Sequence, residues 1–229
     1  MTTAGQDLID IPEIIRTKLF CSPYLPLYAR QLQIWMEREQ ARREQFYEEM
    51  SETQKTEFIN GEVIVHSPVR SCHNLVGQNL LHLMGTFVRK HKLGYIGYEK
   101  ILITLTRNDY EPDLCYFGPA KAQHFTPQQT RFPAPDFIAE ITSPGTEAND
   151  RGIKFEDYAF HGVREYWIID PEQEFVEQYF LQDRVYELHS KALTGVLESI
   201  AIAGFVIPVR AIFDEVEQFT ALQALLKGA

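Results

Sequence analysis

Three polar side chains stand where the surrounding sequence asks for apolar ones. Glu140 is enclosed by Ile138, Ala139 and Ile141. A carboxylate in such a strand must be paired, hydrogen-bonded or bound to a cation, because burying it bare is very costly. Asp113 follows Pro112 and opens the apolar run Leu114-Cys115-Tyr116-Phe117. Lys154 lies in a helical segment with Arg151 three residues before it and Tyr158 four after, on one face. Singly, each has an ordinary reading: an edge glutamate reaching solvent, a strand-initiating aspartate, a solvated lysine. Together, two carboxylates on neighbouring strands under an ammonium suit hydrolysis of a phosphodiester with a divalent cation. Hard oxygen donors select Mg²⁺, for which Mn²⁺ can substitute. The cation polarises the phosphate and lowers the pKa of a bound water, while the lysine positions that water or stabilises developing charge. Asp113 and Glu140 are therefore the expected metal ligands, and Lys154 the expected catalytic ammonium.

Competing chemistries are poorly supported. His66, His73, His82 and His91 recur at no zinc-ligand spacing. Ser143 has no G-x-S-x-G context, and no Gly-rich phosphate loop is present. Tyr166 and Trp167 lie in an apolar strand and read as core. Cys21, Cys72 and Cys115 form no CxxC pair, which suits a reducing, cytoplasmic setting.

The elements that must position these residues follow from periodicity. Residues 1–28 read as irregular around Pro12, Pro23 and Pro26, and residues 29–50 as a helix of strong helix formers. Asn60-Gly61 marks a tight hairpin in Glu57–His66. Leu75, Val76, Asn79, Leu80, Leu83, Met84, Phe87 and Val88 give a long amphipathic helix over 73–92, closed by Gly94. The period then becomes two. Strands are expected at Tyr95–Thr106, Pro112–Phe117 and Pro135–Thr142, a helix at 150–161, and a strand at Val163–Asp170. In the second and third of these strands, Asp113 shares a face with Cys115 and Phe117, and Glu140 with Asp136, Ile138 and Thr142. The crossover from 142 to 163 is long enough for a parallel βαβ unit. A three-strand β-meander over 174–210 and a short helix near 214–226 complete the chain. The expected fold is α/β: an αβββαβ core with a mixed sheet, an N-terminal helical extension over 1–55 and a domain over 56–229.

The net charge is −10, from 32 acidic and 22 basic residues. Such a chain has no global positive surface for nucleic acid, so contact with DNA must be local, focused around a bound cation. No apolar run reaches membrane-spanning length. Asp7, Asp10 and Glu13 make the N-terminus unlike a signal peptide. The helix at 29–50 and the edges of the meander suggest a homodimer.

Pro112-Asp113, Glu140-Ile-Thr-Ser-Pro-Gly145, Lys154, Tyr158 and Gly162-Val-Arg-Glu-Tyr-Trp-Ile-Ile-Asp-Pro171 resemble the Uma2 family (DUF820). Asn60-Gly-Glu-Val63 and His73 at a helix start also match. The resemblance spans roughly residues 56–210. It implies a PD-(D/E)XK nuclease-type, restriction endonuclease-like protein, with Asp113 as the aspartate of the PD motif and Glu140 as the following acidic residue. Thr142 stands where that superfamily's lysine would be, so the resemblance implies that Lys154 reaches in from the next helix. The 73–92 helix lacks the superfamily's first-motif glutamate. Glu62 is the expected substitute, Tyr158 a further catalytic candidate, and His73 or Gln78 is expected to line the site. A catalytically silent interaction module and a hydrolase of another phosphate ester are the alternatives.

Overall fold

The computed structural model describes residues 11–51 and 53–227. Asp7 and Asp10 lie outside the described residues. The chain divides into two compact units between Glu49 and Met50.

The first unit is helical, with α1 over Glu13–Phe20 and α2 over Leu25–Glu49. The prolines do not keep this segment irregular. Pro12 caps α1 and Pro26 sits in the first turn of α2. The missing N–H of proline costs nothing there, because the first amides of a helix have no partner anyway.

The second unit contains two main sheets. A five-stranded sheet has the order β2-β1-β5-β4-β7, from β1 (Thr56–Ile59), β2 (Glu62–Val65), β4 (Leu102–Thr104), β5 (Asp109–Tyr110) and β7 (Arg131–Phe132). A six-stranded mixed sheet has the order β11-β10-β9-β8-β6-β3. Its strands are β3 (Tyr95–Tyr98), β6 (Leu114–Phe117), β8 (Phe137–Ile141), β9 (Glu165–Asp170), β10 (Phe175–Gln182) and β11 (Val185–Ala192). The helix α3 (Ser71–His91), strands β3, β6 and β8, the short helices α5 (Glu147–Asp150) and α6 (Ile153–Phe160), and β9 follow the expected αβββαβ order. β8 and β9 pair in parallel across the α5–α6 crossover. A four-residue helix α4 (Pro119–Ala122), a ribbon of β12 (Val196–Glu198) and β13 (Val206–Pro208), a 3₁₀ turn over Val209–Ile212 and α7 (Glu215–Lys227) complete the unit.

Alternation along β6, β8 and β9 splits the core in two. Leu114, Tyr116, Phe137, Ala139, Ile141 and Trp167 pack with Val76, Leu80, Leu83 and Met84 of α3. Cys115, Phe117, Ile138, Tyr166 and Ile168 face the other way, toward Tyr158 of α6 and Ile59, Ile103 and Tyr110 of the smaller sheet. Glu140 follows the parity of Ile138, so it points into this second layer.

Local departures have identifiable causes. Asn60 and Gly61 take φ of 52° and 85°, the paired left-handed geometry of a two-residue hairpin. Tyr95–Thr106 is not one strand: Glu99 and Lys100 adopt φ of 43° and 40° and turn the chain from one sheet into the other. The long helix ends at His91, one residue before the expected 92, with Lys92 as its left-handed cap at φ 55°. Gly94 itself has φ 127°, and a Cβ there would lie 2.1 Å from the Phe117 carbonyl oxygen. The expected three-strand meander is not formed: β10 and β11 pair in the large sheet, but β12 leaves it and pairs with β13 in a separate ribbon. Buried Glu165 accepts hydrogen bonds from Ser199 Oγ at 2.6 Å and Ala201 N at 2.9 Å, curling residues 199–202 out of extension.

Candidate functional site

A cavity of about 400 Å³ opens beside the C-terminal end of β8, lined among others by Lys55, His66, His73, Asp113, Glu140, Thr142, Asp150 and Lys154. Its rim is formed by residues 67–70 after the β1–β2 hairpin and by the Ser143-Pro144-Gly145 turn. Asp113, Glu140 and Lys154 are 4%, 2% and 2% exposed, so all three charges are taken from water and must be answered by partners.

Glu140 is answered from α6. Lys154 Nζ donates to Glu140 Oε1 at 3.1 Å and Tyr158 Oη donates to the same oxygen at 3.0 Å. The Asp113 backbone N–H approaches Glu140 Oε2 at 3.3 Å. Asp113 is held on both oxygens. Lys55 Nζ lies 2.7 Å from Oδ1, while Oδ2 accepts from the Ile141 N–H at 2.8 Å and faces His73 Nε2 at 3.3 Å. The strand pair β6–β8 thus ties the two carboxylates together through their own backbone.

Lys154 has more to answer than Glu140. Its ammonium lies 2.9 Å from Glu57 Oε1 and 3.2 Å from Asp150 Oδ1, and 5.8 Å from the Tyr110 ring centre. Glu57, on β1, also accepts the Glu111 N–H at 3.0 Å and pairs with His66 Nε2 at 3.0 Å. Asp150 Oδ1 is buried and, despite its closeness to Lys154, makes no well-aimed hydrogen bond.

These fields move the carboxyl groups in opposite directions. Burial pushes the Glu140 pKa up, Lys154 opposes it, and Asp150 and Asp113 add to it, leaving a value of about 8. Burial also works against the charge of Glu57, but Lys154 and then His66 outweigh it and bring its pKa down to about 2. The shared lysine serves Glu57 better because it is nearer and because Glu140 also faces two other carboxylates. Asp113 lies below the usual range: burial opposes its charge, and Lys55 and His73 prevail. Lys154 is held well above the ordinary lysine value, its burial being overcome by Glu140, Glu57 and Asp150.

The structure brings Asp113, Glu140, Lys154 and Tyr158 together, with His73 on the cavity wall. It does not bring in Glu62, which is exposed at the hairpin end, nor Gln78, exposed on α3. Glu57 occupies the place expected of Glu62, because β1 rather than β2 lies inside the smaller sheet, next to β5. Its signal was the one used for Glu140, a glutamate followed by Phe58 and Ile59 in an apolar strand. Asp150 was legible as the i−4 partner of Lys154. Arg151 leaves the cluster: the helix breaks at Arg151-Gly152, and the guanidinium pairs with Glu147 at 2.9 Å and Glu177 at 2.5 Å. Thr142 Oγ1 is spent on the Ile169 carbonyl at 3.3 Å. Lys55, in the segment before β1, had no sequence signal at all.

Among the described residues, no three His, Cys, Asp or Glu side chains stand together in ligand geometry. The donor set nonetheless suits a hard cation, since Mg²⁺ is commonly held by one or two carboxylates with waters completing its shell. Four carboxylates (Glu57, Asp113, Glu140, Asp150) face two ammonium groups (Lys55, Lys154).

The profile of the Uma2 family, described as "Putative restriction endonuclease", matches residues 43–210. No curated protein matches the chain. Among solved structures, it resembles "a putative nuclease belonging to DUF820" from Anabaena variabilis ATCC 29413. The TM-score is 0.64 at 17% identity, over 77% of this chain and 96% of that one. That likeness establishes a shared mixed α/β fold. Among the described residues, no helix is long and apolar enough to cross a membrane.

Proposed function

This chain belongs to the Uma2 family, and on that footing we propose that it is a divalent-metal-dependent endonuclease that hydrolyses phosphodiester bonds of DNA at the cavity bordered by Asp113 and Glu140. The observation that carries this reading is the cluster of four buried carboxylates around two lysines, beside an open cavity. Asp113 and Glu140 would hold Mg²⁺, or Mn²⁺ in its place, and the orphaned Asp150 Oδ1 offers a third oxygen. Bound there, the ion would supply Lewis-acid polarisation of the phosphate and a more acidic water.

The chain's own residues do the positioning. Lys154 and Tyr158 converge on Glu140 Oε1 and leave Oε2 turned toward Asp113. The Ile141 N–H and His73 fix Asp113 Oδ2. Net hydrolysis adds the hydroxide of one water to phosphorus, breaks one P–O bond and returns the proton to the leaving oxygen. Charge that builds on the phosphate during this displacement is met by the ammonium groups of the site. Contact with DNA is confined to this cavity and its rim, consistent with a net charge of −10.

A homodimer would give two such sites for two strands. Exposed Ile15, Tyr28, Leu32 and Trp35 on α1 and α2 supply an apolar surface for it. The decisive assay incubates supercoiled plasmid and single-stranded DNA with Mg²⁺ or Mn²⁺. Cleavage by the native protein and its loss in Asp113→Ala are expected. Cleavage that persists in Asp113→Ala would refute the assignment.

A further inference from the structure

The two lysines of the site stand in different circumstances. Lys154 is 2% exposed and has three carboxylate oxygens within 3.2 Å, so it is committed to holding Glu57, Glu140 and Asp150 in place. Lys55 is 21% exposed at its side chain, lines the cavity, and among the described residues its ammonium has a single hydrogen-bonding partner, Asp113 Oδ1 at 2.7 Å. It has two further N–H groups to offer. It also sits before β1 rather than within a strand, on a four-carbon stem that can swing without disturbing a ladder.

The two oxygens of Asp113 differ in the same way. Oδ2 is held by the Ile141 backbone amide and by His73 on α3, partners embedded in the core elements. Among the described residues, Oδ1 is held only by the lysine. The oxygen that faces a movable partner is the one a second cation could take.

We infer that Lys55 is the exchangeable cation of this site: its ammonium occupies Asp113 Oδ1 until a divalent ion arrives, then gives up that oxygen and moves onto the substrate phosphate. The inference rests on the metal-dependent nuclease reading and extends it by naming the residue that touches substrate. Charge supports it. A divalent ion at Asp113 brings two positive charges where the lysine brought one, and the freed ammonium can then meet the single negative charge of the incoming phosphodiester. Lys55 is also the lysine that lies nearer solvent, where DNA must approach.

Three measurements test it on the full chain. The first is calorimetric titration with MnCl₂ at fixed pH and salt. Lys55→Met and Lys55→Gln should bind Mn²⁺ roughly tenfold tighter or more than the native protein, because the competitor is gone, whereas Lys55→Arg, which keeps the charge, should not. Equal or weaker binding in both neutral variants would overturn the inference. The second is DNA cleavage, where Lys55→Met should lower kcat by roughly a hundredfold while Lys55→Arg recovers part of it. Unchanged kcat in folded Lys55→Met would refute the contact with phosphate. The third uses the native chain, so it survives any folding defect in the variants. Reductive methylation followed by mass spectrometry should label Lys55 several-fold faster with Mn²⁺ than without, and equal labelling would overturn the exchange. If the native protein binds Mn²⁺ but cuts no DNA, the nuclease reading fails, while the titration and labelling still judge the exchange at Asp113.

Discussion

Replacing Lys154 with methionine keeps most of the side-chain volume and removes one buried positive charge. Glu57, Glu140 and Asp150, all within 3.2 Å of that charge, would then lose the counterion they share. Breaking one buried ion pair by deleting a partner typically costs about 3–5 kcal/mol. The three carboxylates here share a single ammonium, so that figure is a lower range rather than a sum. For a domain of this size, each kcal/mol moves Tm by about 2–4 °C, which places the expected drop at roughly 6–20 °C. The loss should depend on pH. A buried carboxyl group without a counterion takes up a proton, and Glu140 already has its pKa raised to about 8. Thermal unfolding followed by circular dichroism at pH 8 and pH 5 would read both effects, with the smaller loss at pH 5. A melting temperature within about 2 °C of the native value at pH 8 would refute the counterion argument. In the active enzyme, Lys154→Ala should also lower turnover by roughly 10²-fold while Mn²⁺ affinity survives or rises, because one positive charge has left the site.

The native protein should itself show a stability maximum near pH 5 in the absence of metal. Glu140 binds its proton more tightly folded than unfolded, so stability falls as pH rises from about 4.5 to 8. Glu57, with its pKa lowered to about 2, and Asp113, also lowered, have the opposite sign, and their stabilisation is lost as pH falls below about 4.5. A stability curve that climbs steadily from pH 5 to 8 would contradict this. Mn²⁺ calorimetry should give a binding heat that disappears in Asp113→Ala and Glu140→Ala, and full affinity in both would remove them as ligands. Glu57→Gln should destabilise the fold by about 1–3 kcal/mol and Glu62→Ala by under about 0.5; denaturant melts showing the reverse order would mean that Glu62 carries the role. Light scattering at micromolar concentration should report a dimer, and a monomer in ordinary salt would refute that assembly.

Much of the site could be read from the chain because the information is local. Strand parity alone puts Glu140 on the face of Ile138, and Lys154 precedes Tyr158 by one helical turn, so their convergence on one carboxylate follows from periods of 2 and 3.6. The order of elements from α3 to β9 follows from the same periods, and the hairpin at Asn60-Gly61 from the left-handed backbone its turn requires. What the chain could not disclose depends on contacts across long separations. Tyr95–Thr106 alternates as one strand, and only the left-handed pair Glu99-Lys100 divides it between two sheets. That division lays the smaller sheet against the second core layer, and with it Glu57, whose order on the sheet displaces the expected Glu62. Lys55 meets Asp113 across 58 residues of sequence. No periodicity links positions so far apart; packing of the two sheets decides which ammonium at the cavity stays partly exposed and which is buried.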